Sequence, residues 1–296
     1  MGIKDIAGIE KPLEKLIETM SEGFGVVGNH IFEFDVAKIN RIGEAEAEVE
    51  KKKIIANAEA QEKSVEILSR AEKRFALEQY NKQINLENII VKTKEDIEGK
   101  VVSEDPVEKD WTMRFLDIAQ NVSRKEMQNI LAKILSGEVQ NPGSFSYQTL
   151  EIVRCLSQKD LHKFSKFVAI STDIGVIKLT TKAGELMKRY DLSFKDYLDL
   201  SSIGLFNQSS MIRYDKELSP SEKSFVPIGS DLFLITNDDI KNTKKFNFGL
   251  YVFSNVGKEL RLLLIDEATN KKSEVYKKDF IEEAQKKGFK IVRQEE

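Results

Sequence analysis

Nucleophilic, general-base or metal chemistry in this chain would have to be built on two histidines, His30 and His162, and a single cysteine, Cys155. A Cys–His nucleophile needs thiol and imidazole within hydrogen-bond reach. Cys155 and His162 could share a helix side only if one helix spanned both, and Ser157-Gln158-Lys159-Asp160 reads as a fresh helix start between them. His30 lies far away in a segment punctuated by Gly23, Gly25 and Gly28, which match no phosphate-binding loop because no strand precedes them and no Gly-Lys-Ser/Thr follows. Cys155 sits among Ile152, Val153 and Leu156, where a thiol is expected to pack as a small hydrophobe, and one cysteine supports neither an intrachain disulfide nor a cysteine-rich zinc site. The acid pairs Asp238-Asp239 and Asp266-Glu267 fall in a turn and at a helix end, without the residues that accompany metal or phosphoryl-transfer sites. There is no Walker loop, dinucleotide fingerprint, nucleophile elbow or zinc motif. The expectation is therefore a non-enzymatic protein with no catalytic, cofactor-binding or metal residues and no cofactor.

Composition narrows the partners. The 296 residues carry 46 basic and 49 acidic side chains, a formal net charge of −3, so charge is dense but the net field is small and wholesale polyanion binding is disfavoured. A hydrophobic content of 41% is enough for real cores. The N-terminus does not resemble a signal peptide, and no apolar run reaches the ~18–20 residues of a spanning helix, which makes the cytoplasm the expected location.

Four segments follow in chain order. Residues 1–35 read as an amphipathic docking segment, with Ile9, Leu13, Leu16, Ile17 and Met20 at helical spacing behind Pro12, then Phe24, Val26, Val27, Ile31, Phe32 and Phe34. Its clustered phenylalanines allow a peripheral membrane contact as a minor reading, but the Lys/Arg-rich face of membrane-surface helices is missing. Residues 36–104 read as a long charged helix and candidate coiled coil, because alanines alternate with Glu, Lys, Gln and Arg from Val36 to Lys94 with no proline. At ~1.5 Å per residue such a rod reaches on the order of 80–90 Å, too long for an ordinary domain to bury. Val65, Leu68, Phe75, Leu86 and Ile89 share a heptad frame, interrupted by Glu72, Gln79 and Lys82, and make the expected surface of a homo-oligomer.

Residues 105–170 read as a helical bundle with Trp111, Phe115, Leu131, Leu135 and Leu150 in its core. Ser123 and Glu126 form a capping-box signature, Gly137 is expected to end the helix that follows, and Ser146 and Ser157 are expected to open two more. The run Asp110-Trp111, Arg114-Phe115, Asp117, Ala119-Gln120-Asn121-Val122-Ser123, Glu126-Met127-Gln128, Leu131 to Val139, Asn141 to Ser146, Thr149-Leu150 and Leu156-Ser157 resembles the signature of a prokaryotic family known only as a domain of unknown function. The opening Gly8 to Leu13 is similar to that family's start. More distantly, the same turn and helix starts resemble alpha-type abortive-infection proteins, which implies a setting in antiphage defence and supplies no catalytic residue.

Residues 171–296 change character. Strands are expected at 168–170, 175–180, 224–228, 232–236 and 246–254, helices at 183–190, 193–202, 256–265 and 278–287, and an edge strand at 288–292. The order resembles a winged-helix module. Its candidate recognition helix carries Asp196 and Asp199 beside Lys195, which is poor for phosphate contact and favours a protein partner over DNA. The fold class expected is mainly α with a C-terminal α+β, winged-helix-like domain. The function expected is a self-assembling scaffold in antiphage defence, with a DNA-binding regulator as the alternative.

Overall fold

Apolar residues three and four apart organise the first of the two units into which the chain divides, Met1–Leu150, the second being Glu151–Glu296. The computed structural model describes residues 10–24, 52, 66–179, 188–208, 212–266, 268 and 271–294. Helix α1 (Glu10–Phe24) takes Pro12 in its first turn, where the missing N–H has no helical partner to lose, and buries Leu16 and Met20. It packs on α3 (Lys109–Ala119) so closely that a Cβ on Gly23 would come within 2.5 Å of Thr112 Cγ2. Helix α2 (Glu66–Ile97) packs on α4 (Lys125–Gln140) and ends before Gly99, whose φ of +72° suits a residue without Cβ. Only this part of the expected long helix is described. Residues 36–65, apart from Lys52, lie outside the described residues.

Two local signals in this unit carry a different meaning from the expected one. The capping box at Ser123 and Glu126 does not form: Arg124 is the N-cap of α4 and no side chain caps it. The buried Gln128 instead reaches back to donate to Val122 O at 2.9 Å, which anchors the connection from the helix side. Gly137 does not end α4, which runs on to Gln140. Its missing side chain makes room for an aromatic ring, since a Cβ there would lie 2.7 Å from Phe145 Cε2.

Helix α5 (Tyr147–Cys155) carries the chain into the second unit, and α6 (Gln158–Val168) starts at Ser157, whose hydroxyl accepts from Asp160 N–H at 3.1 Å. The expected strand at 168–170 is instead the last turn of α6 and the turn after it, because Phe164, Phe167 and Val168 form one buried helical face. Phe164 meets Phe253 with ring centroids 5.5 Å apart and Phe167 meets Phe206 at 5.2 Å, so α6 belongs to the core of the second unit and the boundary falls at 150/151 rather than 170/171.

The rest of this unit is α+β. Strands β1 (Gly175–Lys178), β2 (Arg213–Leu218) and β5 (Lys244–Val252) form one antiparallel sheet of order β1-β5-β2. Strands β3 (Lys223–Ile228), β4 (Asp231–Asn237) and β6 (Phe289–Arg293) form another of order β3-β4-β6. Helices α7 (Phe194–Ser202), α8 (Asn255–Leu264) and α9 (Lys271–Lys286) complete the described elements. Strand β2 has no sequence signal because it is an edge strand with only Leu218 buried. The helix expected at 278–287 is the second half of α9, and most of that expected at 183–190 lies outside the described residues.

An ion network ties α9 to the β3-β4-β6 sheet. Lys277, with its side chain only 3% exposed, pairs with Asp231 and, at 2.9 Å, with Glu274. Arg293 reaches the same two carboxylates, each at 2.7 Å. Removing one member of a buried network leaves its partners desolvated and uncompensated. Lys277→Ala should cost about 3 kcal/mol in urea unfolding, whereas Lys195→Ala, which removes an exposed pair with Asp199, should leave the urea midpoint nearly unchanged. Hydrogen bonds from Arg293 and Lys277 hold the Glu274 carboxyl below its ordinary value. Its contribution is complete above that ordinary value and is lost as pH falls through the lowered one, so the difference between Lys277→Ala and the parent should shrink in acid.

Candidate functional site

In the first unit, the start of α3, the end of α4 and the turn between α4 and α5 enclose a cleft of about 690 Å³. Its floor is a lock between two helices and a turn. Glu138, 1% exposed near the end of α4, accepts from Gly143 N–H at 2.6 Å and Phe145 N–H at 3.0 Å. Trp111, in the first turn of α3, donates its indole N–H to Phe145 O at 2.7 Å and stacks on Phe115 with centroids 5.4 Å apart. Both backbone groups of Phe145 are thus satisfied by side chains from different helices, as a buried backbone segment outside regular structure requires. Pro142 and Gly143 make the reversal, Gly143 at φ +85°. Ser146 then accepts from Thr149 N–H at 3.3 Å, the expected start of α5.

The rim is polar. Glu22, Glu108 and Lys109 line it together with the half-buried Tyr147. A hydrogen bond to Glu108, reinforced by burial and by the charges of Glu108 and Asp110, pushes the Tyr147 phenol up to about 12, so it remains a neutral donor. Arg114 lies over the Tyr147 ring, 5.0 Å from its centre.

This arrangement fixes a turn and contains no nucleophile paired with a base. Among the described residues no group of three or more His, Cys, Asp or Glu is placed to hold a metal. Cys155 and His162 lie on separate helices, α5 and α6, and both are exposed. The core position expected for Cys155 is therefore corrected: Val153 and Leu156 face inward and the thiol falls on the outer arc between them. His30 lies outside the described residues. Asp239 accepts from the N–H groups of Lys241 and Asn242, which hold its carboxyl below the ordinary value in a closed turn.

The residues expected to carry function divide by environment. Trp111, Phe115, Leu131, Leu135 and Leu150 are all buried. Val65 lies outside the described residues, while Leu68 and Phe75 are 56% and 63% exposed. Leu86 and Ile89, expected in the same oligomer seam, are instead buried within their own unit, where α2 packs on α4. The exposed pair and the buried pair lie on successive stretches of one helix. Glu138 had no expected role, although a carboxylate among Leu135 and Val139 just before a Pro-Gly turn signals a buried acceptor for that turn. Arg261 was also missed: it is buried in the second unit and donates to Ser171 Oγ at 2.9 Å and Gly229 O at 3.4 Å.

A model of the family described as a protein of unknown function, DUF2806, matches residues 69–280. The chain belongs to the DUF2806 family. The matched stretch begins inside α2 immediately after Leu68, takes in the Trp111–Glu138–Phe145 lock and ends within α9. The DUF2806 region therefore draws on both units. No curated protein and no solved structure matches the chain.

Trp111 is the only tryptophan, so its emission reports on the lock. Glu138→Gln keeps the shape but replaces one acceptor oxygen with an N–H₂ donor aimed at a backbone N–H. It should cost about 1–3 kcal/mol in urea unfolding and shift Trp111 emission to the red. An unchanged midpoint and spectrum would show that Glu138 does not hold the turn.

Proposed function

We propose that this protein is a non-enzymatic, self-assembling interaction protein, in which the exposed apolar side chains of α2 join copies of the chain and the C-terminal unit recognises a protein partner. The observation that carries this reading is the burial along α2. From Ile67 to Asn85 no residue is buried, although Ile67, Leu68 and Phe75 are large apolar side chains standing in solvent. Helices in water draw most of their stability from a packed apolar face, and this stretch, ~28 Å long at 1.5 Å per residue, has no fully buried apolar side chain, its contact with the bundle coming at its end where Asn85 donates to Gln120 O. Leu68 and Phe75 are one heptad apart and share a side, so a parallel or antiparallel neighbour could cover both. Full burial of side chains of this size contributes ~1.5–3 kcal/mol each, multiplied by the number of copies.

The winged-helix-like reading of the C-terminal unit enters here as part of the proposal. On this reading α7 serves as the recognition helix, and its surface suits a protein better than DNA. Lys163 of α6 is bonded by Asp196 at 2.8 Å and Asp199 at 2.9 Å, while Phe194 and Leu198, one turn apart, are exposed. The proposed setting is antiphage defence of the abortive-infection type, which rests on the likeness of the segment around Pro142–Ser146 and Leu156–Ser157.

Light scattering on the full-length protein tests the assembly. The parent should be a multimer at micromolar concentration, and Leu68→Glu with Phe75→Glu should lower its mass to that of one chain without loss of far-ultraviolet helix signal. A monomeric parent, or an unchanged mass in the double variant, would overturn the proposal.

A further inference from the structure

We propose that the outward face of the β3-β4-β6 sheet is a docking site for a short amphipathic, acidic helix of a partner protein. This rests on the partner-recognition half of the reading above and names the surface and the chemistry. Alternation along the three strands sends Val226, Ile228, Phe233, Ile235, Phe289 and Ile291 into the core. The opposite face of a half-buried antiparallel sheet is ordinarily polar. Here the register sets Phe225 opposite Leu234, Leu234 opposite Val292, and Pro227 opposite Leu232. Phe225, Leu232 and Val292 are 53%, 41% and 44% exposed, and Leu234 and Pro227 are half-buried between them. The five side chains form one contiguous apolar patch across all three strands, where a solvent-facing sheet surface would ordinarily alternate to polar residues.

Size and charge choose the occupant. With strands ~4.8 Å apart and same-face residues ~6.8 Å apart, the patch covers on the order of 200 Å². A stable dimer needs roughly 800 Å² per partner, so the patch is too small to hold a second copy of this chain by itself. Two turns of helix, ~11 Å, match its length, with anchors at i, i+3, i+4 and i+7. The apolar surface is the face of the sheet and not its edge, which suits a helix lying across it better than an added strand. The next row along the strands is Lys223, Thr236 and Lys290. Both lysines are exposed, and among the described residues neither has a carboxylate partner within ion-pair distance. The helix that fits has aliphatic anchors and carboxylates at the end that meets these lysines.

The test is fluorescence anisotropy with full-length protein and labelled synthetic peptides of roughly 12–15 residues, which share one leucine stripe and differ in Glu, Gln or Lys at one end. The Glu peptide should bind about ten-fold tighter than the Lys peptide, a difference of about 1.4 kcal/mol. Phe225→Ser and, separately, Leu232→Ser should each weaken it by about ten-fold, with the protein still folded by its far-ultraviolet helix signal and its thermal midpoint lowered by only a few degrees, since both side chains are about half exposed. Lys223→Glu with Lys290→Glu should invert the preference. No selectivity within the panel, or parental affinity in both serine variants, would overturn the proposal. So would a multimer whose mass falls on Phe225→Ser, because the face would then belong to a second copy. Leu68 and Phe75 are not on this sheet, so the assembly and the docking site can fail separately.

Discussion

A carboxylate taken out of water is tolerated only where its lone pairs are filled, and Glu138 meets that condition with two backbone N–H groups from the turn it faces. Much of the first unit follows from this contact. The turn must close against the end of α4 for Phe145 to place its ring over Gly137 and its carbonyl under the Trp111 indole. The chain then enters α5 from a set position, and Leu150 reaches the core. The segment around Trp111, Gly137-Glu138 and Asn141 to Ser146, which lies within the DUF2806 match, is in this light a set of mutually dependent parts: an acceptor, a donor, a glycine that admits a ring and a glycine at positive φ.

The second unit uses a different economy of contacts. Its centre is aromatic, with Phe164, Phe167, Phe206 and Phe253 meeting at tilted or edge-on angles that favour ring quadrupoles. The fully buried Tyr276 donates its hydroxyl to Ile177 O at 2.8 Å, and burial raises its phenol well above the ordinary value. Polar buried groups sit where strands turn or end: Arg261 holds the Ser171 and Gly229 turns, and Lys277 holds the start of β4. These contacts fix geometry at loops, where the antiparallel ladders supply no hydrogen bonds.

What both units leave uncovered gives the functional reading its shape. The exposed Ile67, Leu68 and Phe75 of α2, the Phe194 and Leu198 face of α7 and the patch led by Phe225 are apolar surfaces on well-defined elements. Among the described residues, buried polar groups such as Glu138, Arg261 and Lys277 are occupied by structural hydrogen bonds and ion pairs, while Ser224 Oγ and Asn247 Oδ1 have no hydrogen-bond partner. These surfaces are what the proposed interaction role rests on.

Periodicity decided a good deal in advance. The helical spacing of Leu16 and Met20, of Trp111 and Phe115, and of Leu131 and Leu135 determined both helix and buried face, because those residues answer to a local rule of 3.6 per turn. Ser157 with Asp160, and the alternating strands β3 and β4, were legible for the same reason. Other features depended on a neighbour remote in sequence. Leu86 and Ile89 read like Leu68 and Phe75, yet α4 covers the first pair and no described residue covers the second. Gly137 read as a helix stop until Phe145 was brought against it, and Cys155 read as core until Val153 and Leu156 took the inward arc. Strand β2 was silent because its partner β5, and not its own side chains, makes it a strand. The sequence by itself determined the strongly periodic helices and the alternating strands β3 and β4, since those are properties of spacing. Tertiary structure alone decided which apolar faces found partners, because burial is settled by what packs across from a residue and not by what precedes it.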